Sequence, residues 1–386
     1  MATEDELRAG DPDEVGINHD LYRGAKRAPF WVLEQQPGDV NWPPHAPQPG
    51  EGAMRLWAHH AVAHGADAVL YFRWRRCRQG QEQYHAGLRK QDGSPDRGYR
   101  DAAAAAEELF DLAPVDAPVA LLHDYESLWA TEVQSHSPDW HYWSHLRTYY
   151  RRCEPSVQVD VVDPRTALGG YAAVVAPTLY LADDSLASHL ESYVADAGHL
   201  LLGARTGEKD PANQLHGTLA PGPLADLAGL RVAQHETVPD SSPTTACYDG
   251  EAYGYQTWAS WLDTEDATPL GEYTHGVADG HTAVARREDG DGSVTTCGCW
   301  PGVDLADALV TDLLTAAGVP TADRLPEGVR VAARDGYTWV TNFTDRRHTV
   351  EAPDAAWVVG GPDLGGYDAA VVAADPDTLT VRPVGD

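Results

Sequence analysis

Short, predominantly apolar runs, each followed by a helical pattern, recur along the first half of this sequence. The runs are Phe30–Leu33, Ala68–Trp74, Val119–His123, Val157–Val162, Ala172–Ala176 and His199–Gly203. Between them, Met54–Gly65 has helical apolar spacing and stops at a glycine, and Arg97–Ala113 is rich in alanine. Tyr142–Arg152 and Asp184–Ala197 continue the series. A strand that is apolar on both faces must be covered on both faces, and βαβ crossovers provide that cover. The alternation therefore predicts parallel sheets in an α/β protein. In residues 114–322 it predicts an open, doubly wound sheet. Its later part, CGCWPGVDLADALVTDLLTAAGV, predicts a strand end and a helix. Residues 323–386 carry six short alternating strands, from VRVAAR to LTVRPV, and predict a small antiparallel β module.

The chain has 386 residues, with 59 Asp and Glu against 28 Lys and Arg, for a formal net charge of −31. Such a surface repels polyphosphate and anionic lipid, which excludes nucleic-acid binding and docking on anionic membranes. With 42% apolar residues, 12 Trp and 17 Tyr, the chain can nevertheless bury a sizeable core. Only three bases are Lys (Lys26, Lys90, Lys209). A folded protein adapted to high salt fits both facts. Its carboxylates stay hydrated, their repulsion is screened within ~3 Å at 1 M salt, and arginine is kept for its planar pairing.

The N-terminal MATEDELRAGDPDEVG has no basic and apolar leader, and no run of apolar residues is long enough to span a bilayer. The expected location is the cytoplasm, with free thiols. The five cysteines (Cys77, Cys153, Cys247, Cys297, Cys299) are odd in number and scattered, and Cys297-Gly-Cys299 lacks the CxxC spacing of a structural zinc site. No metal or cofactor is expected.

Two loops carry candidate chemistry. In PFWVLEQQPGDVNW (Pro29–Trp42), Glu34 directly follows an apolar strand, where parallel α/β barrels place their active-site groups. Gln35, Gln36 and Asn41 suit a polyol, and Trp42 offers an aromatic face for sugar C–H groups. The second loop follows the next strand, YFRWRRCRQGQEQYHAG (Tyr71–Gly87), and contains Glu82 and His85. Glycoside hydrolysis requires two carboxyl groups, and spacing alone allows Glu34 and Glu82 to be that pair.

These segments resemble the C-terminal end of the catalytic barrel in the β-galactosidases of glycoside hydrolase family 42. The likeness rests on NHDLYRG, PFWVLEQQPGDVNW and MRLWAHHAVAHGADAVLYFRWR…QEQYHAGL in that order, and covers residues ~11–113. The resemblance implies a retaining glycosidase of the (β/α)8 type acting on galactosides. It makes residues 1–113 the last two βα units of the barrel. By position it makes Glu34 the nucleophile, Trp42 a sugar-stacking residue, Phe72 part of the pocket wall, and Glu82 and His85 ligands of galactose hydroxyls. It also makes 114–322 a trimerisation domain similar to class I glutamine amidotransferases. The strand-to-helix elbow, GARTG, lacks their nucleophilic cysteine.

The family's acid/base glutamate follows an asparagine after barrel strand four, and no Asn-Glu pair occurs in this sequence. Two strands cannot close an eight-stranded barrel. Two expectations follow. Either the chain is a C-terminal piece of the enzyme, or a separate N-terminal barrel fragment completes it; in both cases the isolated chain is inactive. The alternative is a non-catalytic assembly or carbohydrate-binding subunit built on the second block. A homotrimer is expected from the resemblance.

Overall fold

The computed structural model describes residues 2–42, 44–153, 157–239, 241–322, 324–353 and 355–384. The expected block boundaries at Met1, Asp323 and Asp386 lie outside them. The first block opens with α1 (Glu4–Ala9) and α2 (Pro12–Lys26). Asp11 caps α2 by accepting from the Asp13 and Glu14 amides, and Pro12 sits at its first position. There follow β1 (Phe30–Gln35), α3 (Ala53–Ala63), β2 (Ala66–Tyr71) and α4 (Arg97–Glu108). β1 and β2 form a two-stranded parallel sheet, with Trp31 opposite Ala68 and Gln35 opposite Tyr71.

The second block runs β3 (Val119–Leu122), α5 (Tyr125–Val133), α6 (Tyr142–Cys153), β4 (Val159–Val162), β5 (Ala173–Ala176), α7 (Asp184–Ala195) and β6 (His199–Leu202). Next come α8 (Ala225–Ala228), β7 (Leu230–Thr237), β8 (Thr245–Tyr248), β9 (Glu251–Thr264), β10 (Thr268–Tyr273) and β11 (Thr282–Asp289). β12 (Gly292–Cys297), β13 (Cys299–Pro301) and α9 (Val303–Ala316) complete it. One edge of its sheet has the order β4-β3-β5-β6-β12, in which β3, β5, β6 and β12 run parallel, as the alternation predicts.

The doubly wound expectation needs correction beyond that edge. The sheet is mixed: β12 pairs antiparallel with β11, β11 with β10, β10 with β8, and β9 antiparallel with β7, β8 and β13. The physical reason lies in its turns. Asp249-Gly250 joins β8 to β9 in two residues, both at positive φ, and Gly290-Asp291 joins β11 to β12. Tight turns of this kind impose antiparallel pairing without a helix.

The last block is antiparallel, as expected. It comprises β14 (Val329–Arg334), β15 (Tyr337–Asn342), β16 (His348–Glu351), β17 (Ala356–Val359), β18 (Asp363–Leu364), β19 (Asp368–Ala373) and β20 (Thr380–Pro383). Two sheets, β14-β15-β19-β17 and β18-β16-β20, enclose Val331, Val340, Val350 and Val372.

The chain forms two compact units: Met1–Ala117 with Glu154–Asp160 and Pro320–Asp386, and Pro118–Cys153 with Val161–Val319. The first and last sequence blocks thus share a unit. Val62 and Ala63 of α3 pack with Trp339 and Val371, and Arg55 bridges Glu108 and Asp368, at 2.6 Å each. In the other unit, Trp140, Trp258 and Trp300 form a buried cluster, and Tyr142 is buried as well, whereas Trp129 is exposed. The elbow residue Arg205, at φ +64°, turns its guanidinium onto Trp140, Tyr180 and Trp258 at 4.5–4.8 Å. The GARTG elbow thus carries a buried arginine against aromatic rings.

Candidate active site

The two loops at the C-terminal ends of β1 and β2 are stitched together by backbone and side-chain bonds. The Phe72 amide donates to Gln35 O at 3.0 Å and continues the parallel pairing past β2. The Ala86 amide donates to Asp39 O at 2.8 Å, and Asn41 Nδ2 donates to Gln81 O at 2.9 Å. Arg76 adds an ion pair to Asp39 at 3.0 Å. Glycines permit the close fit. A Cβ at Gly98 of α4 would lie 2.0 Å from Pro37 O, and one at Gly87 would lie 2.4 Å from Arg76 N.

This frame brings Trp42, Phe72 and His85 together. His85 is buried, with its ring 5.2 Å from Phe72 in an edge arrangement and 5.8 Å from Trp42. Its Nδ1 lies 3.4 Å from Asn41 Oδ1, and its Nε2 has no hydrogen-bond partner among the described residues. Burial lowers the His85 pKa, the Arg73 charge lowers it further, and Glu34 opposes both. Neutral His85 is therefore the dominant form at pH 7. Trp42 is 59% exposed.

Glu34 is the penultimate residue of β1 and is solvent-exposed, with Gln36 Nε2 donating to Oε1 at 3.5 Å. Glu82 forms an ion pair with Arg73, while its carbonyl accepts from the His85 amide at 3.2 Å. The Arg73 guanidinium also lies 4.3 Å from the Phe72 ring centroid. Arg73 is the member of this cluster that residue patterns missed. The signal available was its place directly after Phe72, nine positions ahead of an acidic residue in the same loop. Among the described residues no cluster of three or more His, Cys, Asp or Glu could hold a metal. Cys297 and Cys299 are buried with their sulfurs 3.7 Å apart.

Comparison with known proteins gives the family. Residues 117–320 match the family model described as the β-galactosidase trimerisation domain, and residues 1–112 match that described as β-galactosidase. The chain belongs to glycoside hydrolase family 42. It is 65% identical to β-galactosidase BgaH of Haloferax lucentense over 96% of its own length and 56% of that protein's. It is 39% identical to a β-galactosidase of Thermus thermophilus, over 94% and 55% of the two lengths. Its fold superposes with a TM-score of 0.94 on the polyextremophilic β-galactosidase of the Antarctic haloarchaeon Halorubrum lacusprofundi. Identity there is 55%, covering 98% of this chain and 58% of the other. The chain thus spans little more than half the length of the relatives it matches. The salt-adapted reading of its composition accords with these haloarchaeal relatives.

Proposed function

We propose that this chain carries the nucleophile of a retaining β-galactosidase, which hydrolyses terminal non-reducing β-D-galactosides. The observation that carries the reading is the place of Glu34: the C-terminal end of a parallel strand in a family 42 chain, beside the loop that gathers Trp42, Phe72 and His85. Glu34 attacks the anomeric carbon and forms a galactosyl-enzyme. A second carboxyl group protonates the leaving oxygen and then activates water. Trp42 stacks on the sugar, Phe72 lines the pocket, and Glu82 and His85 hold hydroxyl groups.

In this reading β1 and β2 are the last two strands of a (β/α)8 barrel. Support comes from the surface they leave open: Trp31 is 62% exposed and Leu33 71%, in strands that pair only with each other among the described residues. The other barrel strands, and the acid/base with them, come from sequence outside this chain, in the same polypeptide or a second one. We read 114–322 as an amidotransferase-like trimerisation domain and 323–386 as a small β domain. The assembly is then a homotrimer, and its location the cytoplasm. The strand order β4-β3-β5-β6-β12 and the description of the matching family model support the domain reading. No helix of the described residues is long and apolar enough to cross a membrane.

The test is complementation in molar KCl. The purified chain alone should not turn over a nitrophenyl β-galactopyranoside. Co-expression with a fragment carrying the first six βα units of a family 42 relative should restore turnover, and Glu34→Gln should remove it by roughly 10³-fold or more. Robust turnover by the chain alone, or complementation that ignores Glu34→Gln, overturns the reading.

A further inference from the structure

Residues 73–100 invert the charge of the molecule. They hold eight bases (Arg73, Arg75, Arg76, Arg78, Arg89, Lys90, Arg97, Arg100) and three acids (Glu82, Asp92, Asp96), in a chain with 28 bases and 59 acids. Two of those acids are engaged: Glu82 by Arg73, and Asp96 by Arg76 at 4.0 Å. Asp92 accepts from the Ser94 hydroxyl and amide. Arg75, Arg78, Arg89, Lys90, Arg97 and Arg100 form no ion pair among the described residues, and all but Arg89 are exposed. A salt-adapted chain that has shed nearly all its lysines gains nothing in solubility from unpaired arginines gathered on one segment.

Two of these bases, Arg75 and Arg89, line a groove together with Arg73. Arg73, Trp74, Arg75, Arg89 and Gly93 line one open cavity. Its walls are fixed by backbone bonds: the Arg89 amide to Trp74 O and the Arg76 amide to Arg89 O, both 2.9 Å, and the Lys90 amide to Ser94 O at 2.9 Å. Arg89 donates from Nη1 to Gly93 O at 2.9 Å, and its guanidinium lies 5.0 Å from the Trp74 ring and 5.1 Å from Tyr99. Trp74 itself is 62% exposed. Guanidinium forks beside an open indole face provide what a carboxylate on a sugar ring or polyol needs: bidentate charge-assisted bonds and a stacking surface. At molar salt only such contact pairing survives screening. Arg73 joins the groove to the candidate active site, because it also touches Phe72 and Glu82.

We propose that this groove is an anion subsite that selects carboxylate-bearing saccharides, acidic galactosides among them. The galactoside part rests on the function proposed above; the anion part does not. The experiment titrates the full chain in 1 M KCl with two matched pairs, gluconate against glucitol and lactobionate against lactitol, following tryptophan fluorescence. In each pair the acid should half-saturate at a concentration at least fivefold lower than its neutral partner. Trp74→Phe should remove most of the signal, and 3 M KCl should weaken the acids more than the neutral sugars. Arg75→Gln, at an exposed position, should bring the preference below twofold. Arg78→Gln, an exposed base outside the groove, should leave it intact. Equal binding of acid and neutral partner, or a preference that survives Arg75→Gln, overturns the subsite. Selective gluconate binding with no gain for lactobionate upholds the subsite and counts against the galactoside reading. Lactitol binding with no preference for charge does the reverse.

Discussion

Gly98 has ordinary helical company, yet it fixes where the candidate nucleophile's loop can lie. Its α-carbon abuts Pro37, three residues after Glu34, with no space for a methyl group against the Pro37 carbonyl. Gly98→Ala should therefore lower stability by about 1–3 kcal/mol, as an overpacked contact does. Gly169→Ala, where a Cβ meets nothing within 4 Å, should stay within ~0.5 kcal/mol. Urea unfolding in molar KCl checks both, and equal effects would discard the packing argument. At this scale the two loops were legible. Glu34, Trp42, Phe72, Glu82 and His85 all lie on two strand-end loops that the apolar runs announce. What no residue pattern could give is the pairing. Glu82 meets Arg73 rather than Glu34, because the side chains that share a loop are decided by its three-dimensional path.

Helices α2 and α3 enclose a histidine cluster that couples the fold to pH. The His60 and His64 rings lie 4.4 Å apart, His19 is 6.0 Å from each, and Asp20, Arg23 and Arg330 provide the surrounding charge. Asp20 contacts His64 Nδ1 at 2.8 Å. Burial, reinforced by the neighbouring histidine, lowers the His19 pKa to about 3 and holds His60 well below 6.5. The unfolded chain, with pKa values near 6.5, then binds more protons than the folded one. Stability is fully present above that pH and is lost as pH falls from ~6.5 toward the folded values, with each such histidine contributing up to about 1.4 kcal/mol per pH unit. Melting temperature should be flat above pH 7 and fall progressively below 6.5. His60→Leu should make that slope shallower, whatever it does to the absolute melting point; an unchanged slope would exclude the cluster as its source. Elements differed in how far they could be read. Strands with two apolar faces, such as β3 and β5, stand out as continuous runs. β8 to β12 alternate too weakly to stand out. The Asp249-Gly250 turn between them, like Asp335-Gly336 between β14 and β15, was their clearest mark.

Across the whole molecule, a net charge of −31 opposes compactness unless salt screens it. Reducing KCl from 3 M to 0.1 M lengthens the screening distance from under 3 Å to ~10 Å. The melting temperature, followed by circular dichroism, should fall on that dilution; a value that holds or rises would remove the salt-adapted reading. At this scale the sequence by itself determined the acidic composition, the alternation of strands and helices in the first half, the antiparallel last block and the family, because charge and periodicity are local properties of the chain. Tertiary structure decided the rest. It put the first and last blocks into one unit through Arg55 and Trp339, turned half of the second sheet antiparallel, and set an arginine-lined groove beside the candidate site. The first of these depends on contacts between residues far apart in the chain, and the other two on turns and loop paths; neither leaves a period in the sequence.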